Sequence, residues 1–275
     1  MDKLISLETA AALVENGQTL AIGGTLCQRV PAVMVREMAR RRLRDLTLVK
    51  ASPGYDIDVL AVAGCVTTVR CGIATLEQPF GMSPGFRHAV EAGRLRIIEN
   101  ACPAVMASLQ AAAYGLPFQA VAGFQGSDLR DLPQFGKVID PFNGGEVLVS
   151  PAIRPDWAIL YVHEADARGN ARIYGSPAWD RLMSRAARRT ILVAEKILPT
   201  AHFVAQPELT IVPELFVEAV VQAPHGAWPT SGHPDYDIDE AAMRHYLELS
   251  RTAEGVAVYL DETAARDRSE EGVAA

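Results

Sequence analysis

The chain is expected to fold as an α/β protein, an open and mostly parallel sheet with helices on both faces. Short β-branched apolar runs alternate with stretches of helical periodicity along the 275 residues, the pattern of βα units. Some of those runs, such as 157–162, carry almost no polar residue, which suits a strand buried on both faces. Glycine or proline stands at most of the junctions.

Ser6 can cap a first helix that runs through Glu15 and stops at Gly17. Residues 19–22 read as a short strand, Gly23-Gly24 as its end, and Pro31 as the start of a helix continued by Val33, Met34, Glu37 and Met38. The spacing then predicts a strand over 46–49, a turn at Ser52-Pro53-Gly54, a helix over 57–63 and a strand over 66–71. A helix over 86–92 and a strand over 95–98 follow. The alanine-rich segment 103–114 begins with proline and ends at Gly115, a clear helix. Residues 118–121 form the next strand. Residues 129–145, with Pro133, Gly136, Pro141, Gly144 and Gly145, read as a long surface loop. Strands over 157–162, 191–194 and 216–221 and helices over 182–188 and 240–250 complete the pattern. One domain is expected over 1–263. The charged, then small-residue stretch 264–275 reads as a frayed tail.

A formal net charge of -7 argues against nucleic acid as partner. The run Arg40-Arg41-Arg42-Leu43-Arg44 closes a helix, where cations suit the dipole. Cys27, Cys65, Cys71 and Cys102 show no Cys-x-x-Cys spacing, so no metal site is expected, and four are too few for a disulfide scaffold. Met1-Asp2-Lys3 does not open a signal peptide, and no apolar run approaches the roughly 20 residues of a membrane span. A cytoplasmic protein is the expectation.

Ligands of open α/β sheets sit beyond the carboxyl ends of strands. Four loops leave such ends: 23–29, 99–102, 123–128 and 163–170. At Gly23-Gly24 the strand–turn–helix geometry can present backbone N–H groups to an anion, or it can be a tight turn alone. A Walker loop and the dinucleotide fingerprint are both excluded, since neither Gly-Lys-Ser/Thr nor a third glycine follows.

The loop set resembles the α subunit of the family I coenzyme A transferases. Ala21-Ile22-Gly23-Gly24 is similar to that family's N-terminal glycine motif, and residues 161–171, YVHEADARGNA, to its V-H-x-A-D-x-x-G-N-A stretch. Gly126-Ser127-Asp128 and residues 186–196 also fit, so the resemblance covers most of 10–225. Arg29-Val30-Pro31 after Gly-Gly, and Leu116-Pro117-Phe118, look like the glutaconate-type α subunits. Leu109–Ala113 and 116–118 are shared with the α chain of a hydrolase that opens a ring of a steroid-derived CoA thioester. The resemblance implies a heteromeric enzyme, α2β2, that moves CoA between an acyl-CoA and a carboxylic acid, dicarboxylic acids included. It uses no cofactor beyond the CoA thioester substrate. The attacking glutamate is implied to lie on the β subunit, and no Ser-Glu-Asn-Gly motif occurs here. The alternative it leaves open is a CoA-thioester hydrolase or lyase.

The implied share of this chain is the floor of the site: Gly23, Gly24 and Gly126 as oxyanion donors, with Thr25, Arg29, Ser127 and Asp128 toward the acyl group. Arg29 could grip a substrate carboxylate or sit in an ion pair. Ser127 and Asp128 could bind substrate or cap the next segment. His163 ends a buried strand and could be catalytic or a satisfied core histidine. Asp166, Gly169 and Asn170 read as a tight turn. Glu99, the candidate catalytic residue of this chain, follows a strand directly, where a carboxylate can face the crevice and serve as general base, or can complement a helix N-terminus. Cys102 reads as a small buried hydrophobe.

Overall fold

The computed structural model describes residues 2–124 and 126–269. Its centre is a parallel sheet of seven strands: β1 (Thr19–Ile22), β2 (Leu46–Val49), β3 (Val66–Cys71), β4 (Arg96–Glu99), and later β8 (Trp157–Ala165), β10 (Arg189–Ile197) and β11 (Val217–Gln222). Their spatial order is β11-β10-β8-β1-β2-β3-β4, and the short β9 (Ala171–Arg172) pairs antiparallel with β8. A second sheet, β5 (Phe118–Ala120), β7 (Glu146–Pro151) and β6 (Gly136–Ile139), is antiparallel and stands apart from the first.

The helices are α1 (Leu7–Ala12), α2 (Ala32–Arg40), α3 (Tyr55–Val62), α4 (Pro84–Glu91), α5 (Cys102–Ala113), α6 (Asp180–Ala186), α7 (Thr200–Ala205), α8 (Glu240–Leu249) and α9 (Ala253–Ser269). Alternation along each strand sorts them into two layers. Leu20 and Ile22 of β1 and Leu46 and Leu48 of β2 join one core with α1–α4, α8 and α9. Ala21 and Val49 face the other way, into a core with Val105, Met106 and Leu109 of α5 and Met183 of α6. The result is three layers, helix–sheet–helix.

Three expectations are corrected. The strand at 118–120 belongs to the small antiparallel sheet, not to the main one. Residues 129–145 are not all loop. A 3-10 turn spans Asp128–Asp131, and β6 and β7 form a hairpin whose connection is closed by hydrogen bonds between Asp140 and Gly145 and from Phe142 N–H to the Asp140 carboxylate (2.8 Å). Proline and glycine there serve a turn, and their density hides the short strands beside it.

The stretch 264–269 is helical, not frayed. Asp267 is buried and accepts from Arg36 Nε (2.8 Å), Arg36 Nη2 (2.5 Å) and Arg40 Nη2 (2.6 Å), which fastens α9 to α2. Residues 270–275 of the expected tail lie outside the described residues. Among the described residues no helix is long and apolar enough to cross a membrane.

Candidate functional site

The turn after β1 is closed by the chain itself. Gly23 N–H donates to the Ile159 carbonyl (2.8 Å), and Thr25 N–H to the Gln28 carbonyl (2.9 Å). Gly24 N–H donates to Asp180 Oδ1 (2.8 Å), and Arg29 Nη1 pairs with Asp180 Oδ2 (2.7 Å). Asp180 is fully buried and Arg29 almost so. The donors expected at Gly23 and Gly24 are therefore spent inside the fold, which corrects their reading as oxyanion donors. Gly24 sits at φ +68°, and a Cβ there would strike the Gln28 and Arg29 carbonyls. Its smallness serves the backbone turn. Arg29 has φ +52° and is held by its N–H on the Ser231 carbonyl (2.7 Å). Of its two readings, the ion pair is the one formed.

His163 is nearly unexposed, and both ring nitrogens meet backbone groups. Nε2 donates to the His233 carbonyl (2.8 Å), and Nδ1 accepts from Tyr174 N–H (3.1 Å). Burial lowers its pKa and keeps the ring neutral. It is a satisfied core histidine. Asp166 accepts from the N–H groups of Arg168 (3.0 Å) and Asn170 (2.9 Å), which closes the turn before β9.

The other residues gather around the start of α5. Glu99 ends β4 exposed, and its carboxylate makes no hydrogen bond or ion pair among the described residues. Its backbone carbonyl accepts from the Gln134 side chain. The pairing Cys71↔Glu99 gives Glu99 the face of Cys71, whereas α5 covers the opposite face. Ser127 Oγ accepts from Leu129 N–H (3.3 Å) and caps the 3-10 turn that contains Asp128. Gly126 lies at φ +77° in the same exposed loop. This loop leaves the small sheet but returns to α5, where Phe124 and Phe135 (ring centres 5.5 Å apart) join Ala104, Ala107 and Val121.

Cys102, half-buried at the first position of α5, meets the carboxyl ends of β2 and β3. Its Sγ is 3.4 Å from the Ala51 carbonyl and 3.5 Å from Ser52 Oγ. Gly72 has no room for a Cβ, because the Cys102 backbone N lies against it. No side chain caps α5, so its positive end opens here. Beside it is a cavity of ≈ 350 Å³ lined by Cys102, Pro103, Met106, Ala107, Gln110, residues 120–122 and Trp179. Trp179 adjoins Asp180, so this cavity and the Arg29 anchor share one chain segment. A second cavity, ≈ 430 Å³, has polar walls that include Arg29, Ser176, Ser231 and His233.

Sequence reasoning missed Ser52, Gly72, Trp179 and Asp180. Asp180 is 151 positions from Arg29, and no local spacing links the two. Gly72 follows a strand, and a glycine there was the one available signal. The arrangement offers an apolar cleft, a helix N-terminus, one thiol and one unpaired carboxylate. Among these residues no nucleophile sits with a base in hydrogen-bond reach.

Residues 4–223 match the coenzyme A transferase family. The chain is 35% identical over 267 residues to the cholesterol ring-cleaving hydrolase IpdA subunit of Mycobacterium tuberculosis, covering 92% of this chain and 90% of that protein. It is 32% identical over 273 residues to one of the subunits of glutaconate CoA-transferase from Acidaminococcus fermentans, covering 92% and 85%. The crystal structure of that organism's glutaconate coenzyme A-transferase superposes with a TM-score of 0.89 over 94% of this chain and 88% of the other, at 29% identity. An uncharacterized protein of Archaeoglobus fulgidus is 35% identical over 262 residues, and there the match spans 59% of the relative's length. The chain belongs to the coenzyme A transferase family.

Proposed function

We propose that this chain is the α subunit of a heteromeric CoA transferase that moves CoA between an acyl-CoA and a carboxylic acid. The observation that carries the reading is the likeness, along almost the whole chain, to a subunit of glutaconate CoA-transferase. The crevice supports it, since it holds no nucleophile–base pair among the described residues, and a partner's glutamate would complete it. That carboxylate attacks the thioester carbonyl, the C–S bond breaks, and CoA leaves as thiolate. The thiolate then attacks the glutamyl carbonyl of the mixed anhydride and releases the donor as its carboxylate. The acceptor carboxylate attacks the glutamyl thioester and displaces the thiolate, which attacks the acyl carbonyl of the new anhydride and frees the glutamate. One acyl transfer becomes two easier ones. The present chain supplies the cleft that places the thioester.

A hydrolase or lyase is the second reading, favoured by the unpartnered Glu99 carboxylate and by the likeness to the ring-cleaving hydrolase. One assay tests both. CoA exchange between acyl-CoA and acetate is measured for the purified chain, for the chain with its β partner, and for that complex carrying Glu99→Gln. The expected result is no exchange by the chain alone, exchange by the complex, and a modest loss in the variant. Robust exchange by the lone chain contradicts the two-subunit reading. A loss of about 10² to 10⁴-fold in Glu99→Gln, the scale of general acid–base catalysis, with hydrolysis in place of exchange, favours the second reading.

A further inference from the structure

The cavity at the head of α5 has no charged side chain in its wall. Cys102, Pro103, Met106, Ala107, Val121 and Trp179 form it, with Gln110 at its rim. It opens beyond the carboxyl ends of β2 and β3, where Cys102 touches Ala51 and Ser52. The arginine that could have gripped a distal carboxylate, Arg29, is already paired with the buried Asp180. A second carboxylate carried into this cavity would meet no cation in the wall this chain provides, and its desolvation there would be unfavourable. An uncharged alkyl group would gain burial at about 25 cal/mol per Å² of apolar surface. At ≈ 350 Å³ the cavity is of the size that holds a small ligand.

We infer that the acyl group of the substrate lies in this cavity and is uncharged and apolar, which selects monocarboxylic acyl-CoA thioesters over dicarboxylic ones. The inference rests on the reading of the chain as part of an acyl-CoA enzyme. Met106 suits the role, since its unbranched side chain adapts to ligand shape. Trp179 is partly exposed and adds an aromatic wall.

Cys102 reports occupancy. The other three cysteines are buried, and burial pushes each of their thiols up to about 12, so a maleimide labels Cys102 first. The experiment uses the complex with its β partner and follows alkylation of Cys102 by peptide mass spectrometry. Free CoA, octanoyl-CoA and glutaryl-CoA are compared as protectants. Octanoyl-CoA is expected to slow labelling about tenfold at a concentration where CoA and glutaryl-CoA slow it less than about twofold, a difference of at least about 1.3 kcal/mol in binding terms.

Gln110→Arg, an exposed helix position that tolerates the change, is expected to bring glutaryl-CoA protection up toward that of octanoyl-CoA. Equal or better protection of the unaltered complex by glutaryl-CoA would overturn the inference. So would labelling that no acyl-CoA slows while turnover persists, which places the acyl group elsewhere and leaves the transferase reading intact. Blockage of Cys102 by the partner with no CoA compound present would overturn it as well. Protection by octanoyl-CoA without any transfer would support the cavity assignment and count against the transferase reading alone.

Discussion

At the scale of single residues, Asp180 organises the turn that the glycines alone were expected to make functional. It holds Gly24 N–H and the Arg29 guanidinium at once, and both side chains are buried. A buried pair contributes little net stability, because desolvation offsets attraction, but removing one partner strands the other charge. Asp180→Ala is therefore expected to lower unfolding free energy by about 3–5 kcal/mol, read from urea denaturation with unchanged slope. A cost below about 1 kcal/mol would mean that the pair is solvated and Arg29 is available to substrate. The sequence showed the Gly-Gly turn and Arg29, because both lie within a few residues of β1. It did not show Asp180, because the contact closes between elements distant in sequence. His163 was legible as a position and not as a role, since its two backbone partners come from separate loops.

Among the elements, α3 and α9 show how polar side chains fix helix packing. Asp58 of α3 is fully buried and accepts from Phe86 N–H of α4 (2.8 Å) and Tyr246 O–H of α8 (2.7 Å). Burial still raises its pKa, from 3.8 to about 6. Between those values the folded state binds more protons than the unfolded one. Its contribution to stability is thus fully present below about pH 4 and is lost as pH rises through about 6. Asp58→Asn is expected to flatten that part of the stability–pH curve, measured by denaturation at several pH values from about 4 to about 7. An unchanged slope would mean that Asp58 does not titrate there.

The expected tail at 264–275 tests the packing of α9. Cutting the chain after Thr263 removes Asp267 and leaves Arg36 buried without its carboxylate. That truncation should cost about 3–5 kcal/mol, measured by chemical denaturation, whereas removal of a solvated tail would cost less than about 0.5 kcal/mol. The pattern Ala-Arg-Asp-Arg looked like a tail because its charges are read as solvated unless their partners are known. The partners, Arg36 and Arg40, sit over two hundred residues earlier. By contrast, β1, β2 and β3 carry their own signal, and their limits match the expected ones to the residue.

At the scale of the molecule, the parallel sheet places its loops at one end, and the apolar cavity and Cys102 collect where α5 begins, while Glu99 at the end of β4 takes the other face of the sheet. Parallel alternation was legible because each βα unit repeats the same periodicity. The antiparallel hairpin of β6 and β7 was not, because its turn chemistry resembled a long loop. The segment between β5 and that hairpin nevertheless shapes the site: Val121 and Phe124 pack against α5, and Val121 and Ala122 line the cavity.

In the proposed reading a thioester lies in this crevice, and the attacking carboxylate comes from the partner chain. Mass spectrometry of both chains, after the complex has been incubated with acyl-CoA and the glutamyl thioester trapped by a reducing agent, tests this division of labour most directly. The expected result is one modified glutamate on the β chain and none on this one. A covalent adduct on this chain, or steady acyl-CoA consumption with no adduct on either chain, would contradict the assignment of the attacking carboxylate to the partner.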